Sequence, residues 1–253
     1  MLSLIPISDA NPTRRFPAVT LLLIAANVAV FFFVQPGLGQ NLEASFYFVE
    51  NAPIPCQLEE SCPDGLQLAT DIRPVPIPER TITSFLGAAL FSTFMHAGWL
   101  HIIGNMLFLW VFGNNIEDFL GPVKFLAFYL LGGIFASFAH AWTHLDSFLP
   151  SVGASGAVAA VMGAYLVLYP RARVNVLVMV VFFLTVIQMS ALLVLGLWFL
   201  YQFLYAYQEA SLATDVAWMA HVGGFLFGLF GIFLLGGRPH RPPPEWVGGW
   251  RDR

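Results

Sequence analysis

Charge is the scarcest thing in this sequence. Only 10% of its 253 residues are Asp, Glu, Lys or Arg, against about 25% in soluble domains. Hydrophobic residues make up 58% and the mean hydropathy is +0.73. Even large soluble domains bury only roughly 75% of their chain surface, so a water-soluble fold has no room for this much apolar side chain. The bilayer is the natural solvent for such a chain. Excess positive charge is also missing. The net charge is −4, which argues against a nucleic-acid partner. Cysteine is nearly absent. Cys56 and Cys62 are the two, with five residues between them. That is too few for a disulfide scaffold and the wrong pattern for a zinc site. Whether they are bonded to each other is open. No H-E-x-x-H motif occurs, and no internal repeat stands out.

Long apolar runs are what the chain has in place of charge. A helix needs about 20 apolar residues to cross the hydrocarbon. Six stretches qualify, at roughly 17–34, 98–113, 121–142, 152–169, 190–208 and 216–236. The first follows Arg14 and Arg15 but is longer than a signal-peptide core and has no A-x-A site after it, so it is expected to be a retained helix. The run 174–189 is apolar as well but continues into the fifth span. It is expected to be interfacial or re-entrant, with a seventh span as the alternative. The expected fold is all-α and polytopic, a six-helix bundle over residues 17–236. Residues 1–16 form a cytoplasmic N-terminal segment, 35–97 a long outer loop, and 237–253 a Pro-, Gly- and Arg-rich cytoplasmic tail expected to be disordered.

Positive charge sets the orientation. Arg14 and Arg15 place the N-terminus inside. Alternation then puts Lys124, Arg171 and Arg173 inside as well, together with Arg238, Arg241, Arg251 and Arg253 in the tail. The outer loop 35–97 holds Glu43, Glu50, Glu59, Glu60, Asp64, Asp71 and Glu79 against Arg73 and Arg80. The short loops near Asp146 and Asp215 carry neither Lys nor Arg. Every loop fits six spans with both termini inside, whereas a seventh span would export the basic tail.

Polar side chains at membrane depth are costly, so each needs a reason. His96, His101, Asn105, Ser155 and His221 draw notice. His101 and Asn105 open the second span, Ser155 opens the fourth, and His221 lies early in the sixth. All three spans run from outside to inside, so their polar groups lie in one shallow outer layer. Ser155 sits in Gly153-Ala154-Ser155-Gly156. Flanking glycines permit close approach of another backbone, and a helix N-terminus has unpaired N–H groups that can bind an oxyanion. The same residues also suit a serine that merely caps its helix. Ala220, Gly224 and Gly228 form one small-residue stripe, and Gly156, Ala160 and Ala164 form another. Such stripes let helices pack closely in lipid. If they face each other, Ser155 and His221 come within hydrogen-bond reach, and an adjacent base is what a serine nucleophile needs. The alternative is a histidine that only bonds a neighbouring helix. His101 and Asn105 share a helix face and can both donate to a developing oxyanion, or can simply tie helices together. His96 is expected to be structural. His140, His144 and Asp146 sit at the far end of the third span and do not make a metal site. Glu117 is expected to tie down the loop before Gly121-Pro122.

Taken in order, these motifs resemble the rhomboid intramembrane serine proteases. His96-x4-His101-x3-Asn105, Gly113-x3-Glu117, Gly153-Ala154-Ser155-Gly156 and Ala220-His221-x2-Gly224-x3-Gly228 are similar to motifs of that family, over roughly residues 80–236. The resemblance implies a serine endopeptidase with a Ser155–His221 dyad and no aspartate. It implies an oxyanion site from Asn105, His101 and backbone N–H groups around Gly153 and Gly156. It implies single-span transmembrane protein substrates, a lipid bilayer as surroundings, and no metal or cofactor. Some members stack a tyrosine, four residues after the serine, on the histidine. This chain has Ala159 there, so Trp218 or a backbone group must orient His221. A Trp-Arg pair of the first outer loop is also missing, and this loop is long and proline-rich. The cell membrane, plasma or inner, is the expected location. Two other readings stand beside the protease. One is an inactive rhomboid-like protein that escorts client membrane proteins, though such proteins usually lack the serine or histidine. The other is a transporter, which predicts polar groups at the midplane and repeated halves.

Overall fold

The computed structural model describes residues 2–36, 42–59, 62, 75–180, 183–209 and 217–238. The expected disordered tail and the loop around Asp215 lie outside these residues. The chain is mostly helical. In order it forms β1 (Leu2–Asp9), α1 (Ala18–Phe33), α2 (Leu42–Asn51), a 3-10 turn (Pro55–Leu58), α3 (Ile82–Ser92), α4 (Trp99–Leu120), α5 (Pro122–Thr143), α6 (Ser155–Leu168), β2 (Arg173–Val180), β3 (Phe183–Ser190), α7 (Ala191–Glu209) and α8 (Trp218–Leu234).

Local chemistry explains several boundaries. The Thr81 hydroxyl caps α3 by accepting from the Ser84 N–H at 3.3 Å. Gly121, with φ of 77°, ends α4 and turns directly into Pro122 at the first position of α5. Proline suits that position, because the N–H it lacks has no helical acceptor there. The start of α1 is held from outside. Glu117 of α4 accepts from the Val19 N–H (2.9 Å), the Thr20 N–H (2.7 Å) and the Thr20 hydroxyl (2.7 Å). It therefore caps a neighbouring helix, where negative charge meets unpaired donors. The expectation that Glu117 fastens the loop before Gly121 is corrected accordingly.

The all-α expectation is also corrected. β1, β2 and β3 form one antiparallel sheet in that order. The 174–189 run is a hairpin, with Arg173 opposite Ser190 and Val180 opposite Phe183. Val174, Val176 and Val178 are buried on alternate positions, the period-2 pattern of a strand made from β-branched residues. β1 pairs along β2 from Leu2 opposite Val180 to Asp9 opposite Val174, with an irregularity between Pro6 and Ser8. The segment expected to be a long outer loop also has structure. It holds α2, α3 and the 3-10 turn, and Cys56 and Cys62 are joined in a disulfide.

The core is organised around α6, which is buried from Gly156 through Tyr165. It packs against α4, α5, α7 and α8. The two small-residue stripes meet here. A Cβ added at Gly224 would strike the Gly156 carbonyl, and one at Gly228 would strike the Ala160 carbonyl. Only glycine permits that approach. The outside of the bundle is apolar, with Phe33, Leu100 and Leu234 among many exposed large side chains. Among the described residues, α5 is long and apolar enough to cross a membrane by length and composition, and five other apolar helices are shorter.

Candidate active site

Ser155 is the first residue of α6. Its N-cap is Ala154, so the hydroxyl is not spent on capping. Gly153 prepares this position. Its φ of 128° belongs to glycine, and its N–H donates to the Ser92 carbonyl at 3.0 Å. A Cβ at Gly153 would lie 2.6 Å from the His101 ring and 3.7 Å from the Ser155 hydroxyl. The backbone before the serine thus makes room for the histidine of α4. Gly156, next along, lets α5 approach, since a Cβ there would meet Ala136.

His221 lies in the first turn of α8, carried to α6 by the glycine stripe. Its Nε2 is 2.8 Å from the Ser155 Oγ. Its Nδ1 is 2.6 Å from the Gln202 Oε1 on α7. The rings of Trp198 and Trp218 each stand 6.0 Å from it, one tilted and one edge-on. The group on Nδ1 is therefore a side-chain amide, while Trp218, which the sequence suggested beside a backbone group, meets the ring edge-on. Ala159 explains the change: a Cβ on Gly224 would be 3.3 Å from the Ala159 Cβ, so that position is closed by helix packing.

These groups open onto a cavity of roughly 590 Å³. His101, Asn105, Gly153, Gly156, Ser155 and His221 all line it. The Asn105 amide nitrogen is buried without a hydrogen-bond partner among the described residues, a donor with nothing of the protein to donate to. His96 does not line the cavity. It is fully buried, its backbone is clamped by Gln35 at 3.0 and 2.7 Å, and its ring meets His101 edge-on at 5.1 Å. His140 and His144 do line the cavity, although their sequence position suggested a place apart. The signal was available: α5 runs opposite to α4, so its C-terminal end reaches the layer that holds the N-terminal ends of α4, α6 and α8. Gln202 had no such signal. Among the described residues no group of three or more metal-ligating side chains converges.

A loop roofs this cavity. Ser147, Leu149, Pro150, Ser151 and Val152 line it. The Cys56 N–H donates to the Ser147 carbonyl and the Ser151 N–H donates to the Pro53 carbonyl, both at 3.0 Å. The segment around Cys56, with its disulfide, thus braces the roof.

A rhomboid domain family profile matches residues 85–238. The chain belongs to the rhomboid family. Among curated rhomboid relatives, the zebrafish (Danio rerio) presenilin-associated rhomboid-like protein A, mitochondrial, is 32% identical over 155 residues. The mouse (Mus musculus) presenilin-associated rhomboid-like protein, mitochondrial, is 33% identical over 155 residues. In both cases the match covers 56% of this chain and 36% of the relative. Rhomboid protein 1, mitochondrial, of Saccharomyces cerevisiae is 30% identical over 151 residues, covering 56% of this rhomboid and 40% of the relative. This rhomboid therefore spans about a third of the length of the relatives it matches. Their names correct the expected cell-membrane location and point to a mitochondrial membrane. Charge bias in loops reports which side is inside, and carries no information on which membrane is crossed.

Proposed function

We propose that this rhomboid is an intramembrane serine endopeptidase acting on membrane proteins, with single-span proteins as substrates. The observation that carries this reading is the 2.8 Å contact between Ser155 Oγ and His221 Nε2 at the wall of an open cavity. His221 takes the hydroxyl proton as Ser155 attacks the scissile carbonyl, then returns it to the leaving amine. Negative charge gathers on the carbonyl oxygen. Asn105, with its unpartnered amide, His101 and the N–H groups that open α6 beside Gly153 and Gly156 are its donors. Water then enters the same cavity to release the acyl-enzyme. The reaction as read needs no metal or cofactor.

The bilayer domain of this reading is residues 17–236, with six crossings and residues 1–16 and 237–253 on the inner side. The site then lies near the outer face. The exposed apolar side chains of the bundle support immersion in lipid. A client-escorting, inactive rhomboid-like protein is disfavoured because serine and histidine are both present and in contact. A fluorophosphonate probe decides between the two. Labelling of the wild-type protein and none of Ser155→Ala is expected. An unlabelled wild-type protein would overturn the protease reading.

A further inference from the structure

Gln202 is an amide in an otherwise apolar stretch of α7, and only 6% of it is exposed. An amide buried without a partner costs about 1–3 kcal/mol in proteins, so its place demands an explanation. The contact with His221 Nδ1 at 2.6 Å supplies one. Trp198, Gln202 and Tyr205 share a face of α7 through their i, i+4, i+7 spacing. Trp198 lies 6.0 Å from Phe225, Phe199 lies 4.6 Å from Phe225, and Tyr205 lies 5.0 Å from Trp218. Aromatic contacts with α8 on both sides of Gln202 thus fix its distance to His221.

We propose that Gln202 is the positioning residue of the dyad: its carbonyl holds His221 in the Nδ1–H tautomer. The inference rests on the protease reading above, which assigns His221 as base. A neutral imidazole has one donor and one acceptor nitrogen. To take the Ser155 proton, Nε2 must be the acceptor, so Nδ1 carries the hydrogen. A hydrogen on Nδ1 needs an acceptor, and the Gln202 Oε1 is placed to be one. The same bond stops ring rotation and keeps Nε2 aimed at Ser155. The acceptor is neutral. It therefore selects the tautomer without the charge stabilisation of imidazolium that a carboxylate adds. Gln202 contacts the Nδ1 side of the ring and acts through His221.

Three variants and two readouts test this. Gln202→Leu keeps the bulk and removes the acceptor. Labelling of Ser155 by fluorophosphonate and kcat on a membrane reporter are expected to fall about 10²-fold, with KM nearly unchanged; the yardstick is the roughly 10⁴ lost when a wrong tautomer is imposed on a triad. Gln202→Glu restores an acceptor and adds charge. It should recover labelling to within about tenfold of wild type. It should also shift the acidic limb of the pH–rate profile upward, because a neighbouring carboxylate favours the charged imidazole and the base works only when neutral. Gln202→Met guards against misfolding of the leucine variant, and thermal melts accompany all three. The second readout is the ¹⁵N spectrum of histidine-labelled protein, with His221→Asn for assignment. Wild type should show an Nδ1–H tautomer at His221 that is lost in Gln202→Leu and Gln202→Met. Unchanged kcat and an unshifted pH limb in these variants would overturn the inference while the protease reading survives. If wild-type Ser155 is not labelled, the protease reading fails and the ¹⁵N tautomer alone decides whether Gln202 orients His221. An Nε2–H tautomer in wild type overturns the inference whatever the activity.

Discussion

Removing the Ser155 hydroxyl leaves His221 with nothing to deprotonate, and removing the His221 ring leaves the hydroxyl a poor nucleophile. Ser155→Ala and His221→Ala are therefore each expected to reduce cleavage of a transmembrane reporter to background. Their double variant should be no worse, since members of such a unit fail together. Near-normal turnover in either single variant would end the dyad mechanism. Asn105 acts on a different species. Asn105 lines the cavity, its amide nitrogen is unpartnered among the described residues, and no hydrogen bond links it to the Ser155 hydroxyl. Loss of one oxyanion donor costs roughly 10²–10³ in turnover, about 2.7–4 kcal/mol. Asn105→Ala is expected to show that loss in kcat with little change in KM and a melting temperature near wild type. Full turnover with a lowered melting temperature would make Asn105 a packing residue. That Ser155, His101, His221 and Asn105 would share one layer was readable because motif spacing marks them. Gln202 was not. A glutamine in an apolar run acquires meaning only from the ring 19 positions later that it touches, and no local pattern reports that contact.

Helix packing makes sharper demands than hydropathy does. Gly228 has the Ala160 carbonyl against it, whereas Gly196 on α7 has nothing within 4 Å of an added Cβ. Gly228→Val should thus abolish folded protein in detergent, read by melts and gel filtration. Gly196→Ala should be neutral or stabilising by about 0.5–1 kcal/mol, the ordinary gain of alanine over glycine in a helix. Equal tolerance at both sites would contradict the packing of α6 on α8. The sequence showed these stripes because small-xxx-small spacing is regular. It did not show the sheet, since a Val-rich run reads the same by hydropathy whether it crosses, lies flat or pairs. β1 ends in a second kind of anchor. Asp9 accepts from the Tyr165 hydroxyl at 2.6 Å and the Asn115 amide at 2.9 Å. Burial pushes its carboxyl up from 3.8 to about 6, against the pull of those bonds. The folded state then holds a proton that the unfolded chain has released between those two values, so stability falls as pH rises through that window. Asp9→Asn should flatten the pH dependence of the melting temperature between pH 4 and 6. A slope unchanged in the variant would assign it to other groups.

At the scale of the whole molecule, the proposal sets an orientation that labelling can read. Cysteines placed in 143–151 or near Asp215 should react with an impermeant thiol reagent from the outer side, and those near Lys124 or Arg171 should not. Inverted labelling would put the site on the wrong face and sink the topology. The helical bundle and the gathering of polar groups at one end of it were legible because few architectures suit so apolar a chain. The structure within residues 35–97 was not, because α2, α3 and the 3-10 turn are held by contacts with one another and with the 144–151 segment, which a composition shift does not reveal.

The pairing of β1 with β2 also imposes an order in time. Leu2 lies opposite Val180, so β1 leaves the ribosome far ahead of the strand it needs. At about 5–20 residues per second, synthesis of the intervening chain takes roughly 10–35 s. During that interval β1 has an open edge, the kind of edge that recruits other strands. A nascent chain halted after α6 would have Ser155 made and its first strand still unclaimed. Assembly of the sheet is thus a late checkpoint, passed only after α1, α4, α5 and α6 have all been made.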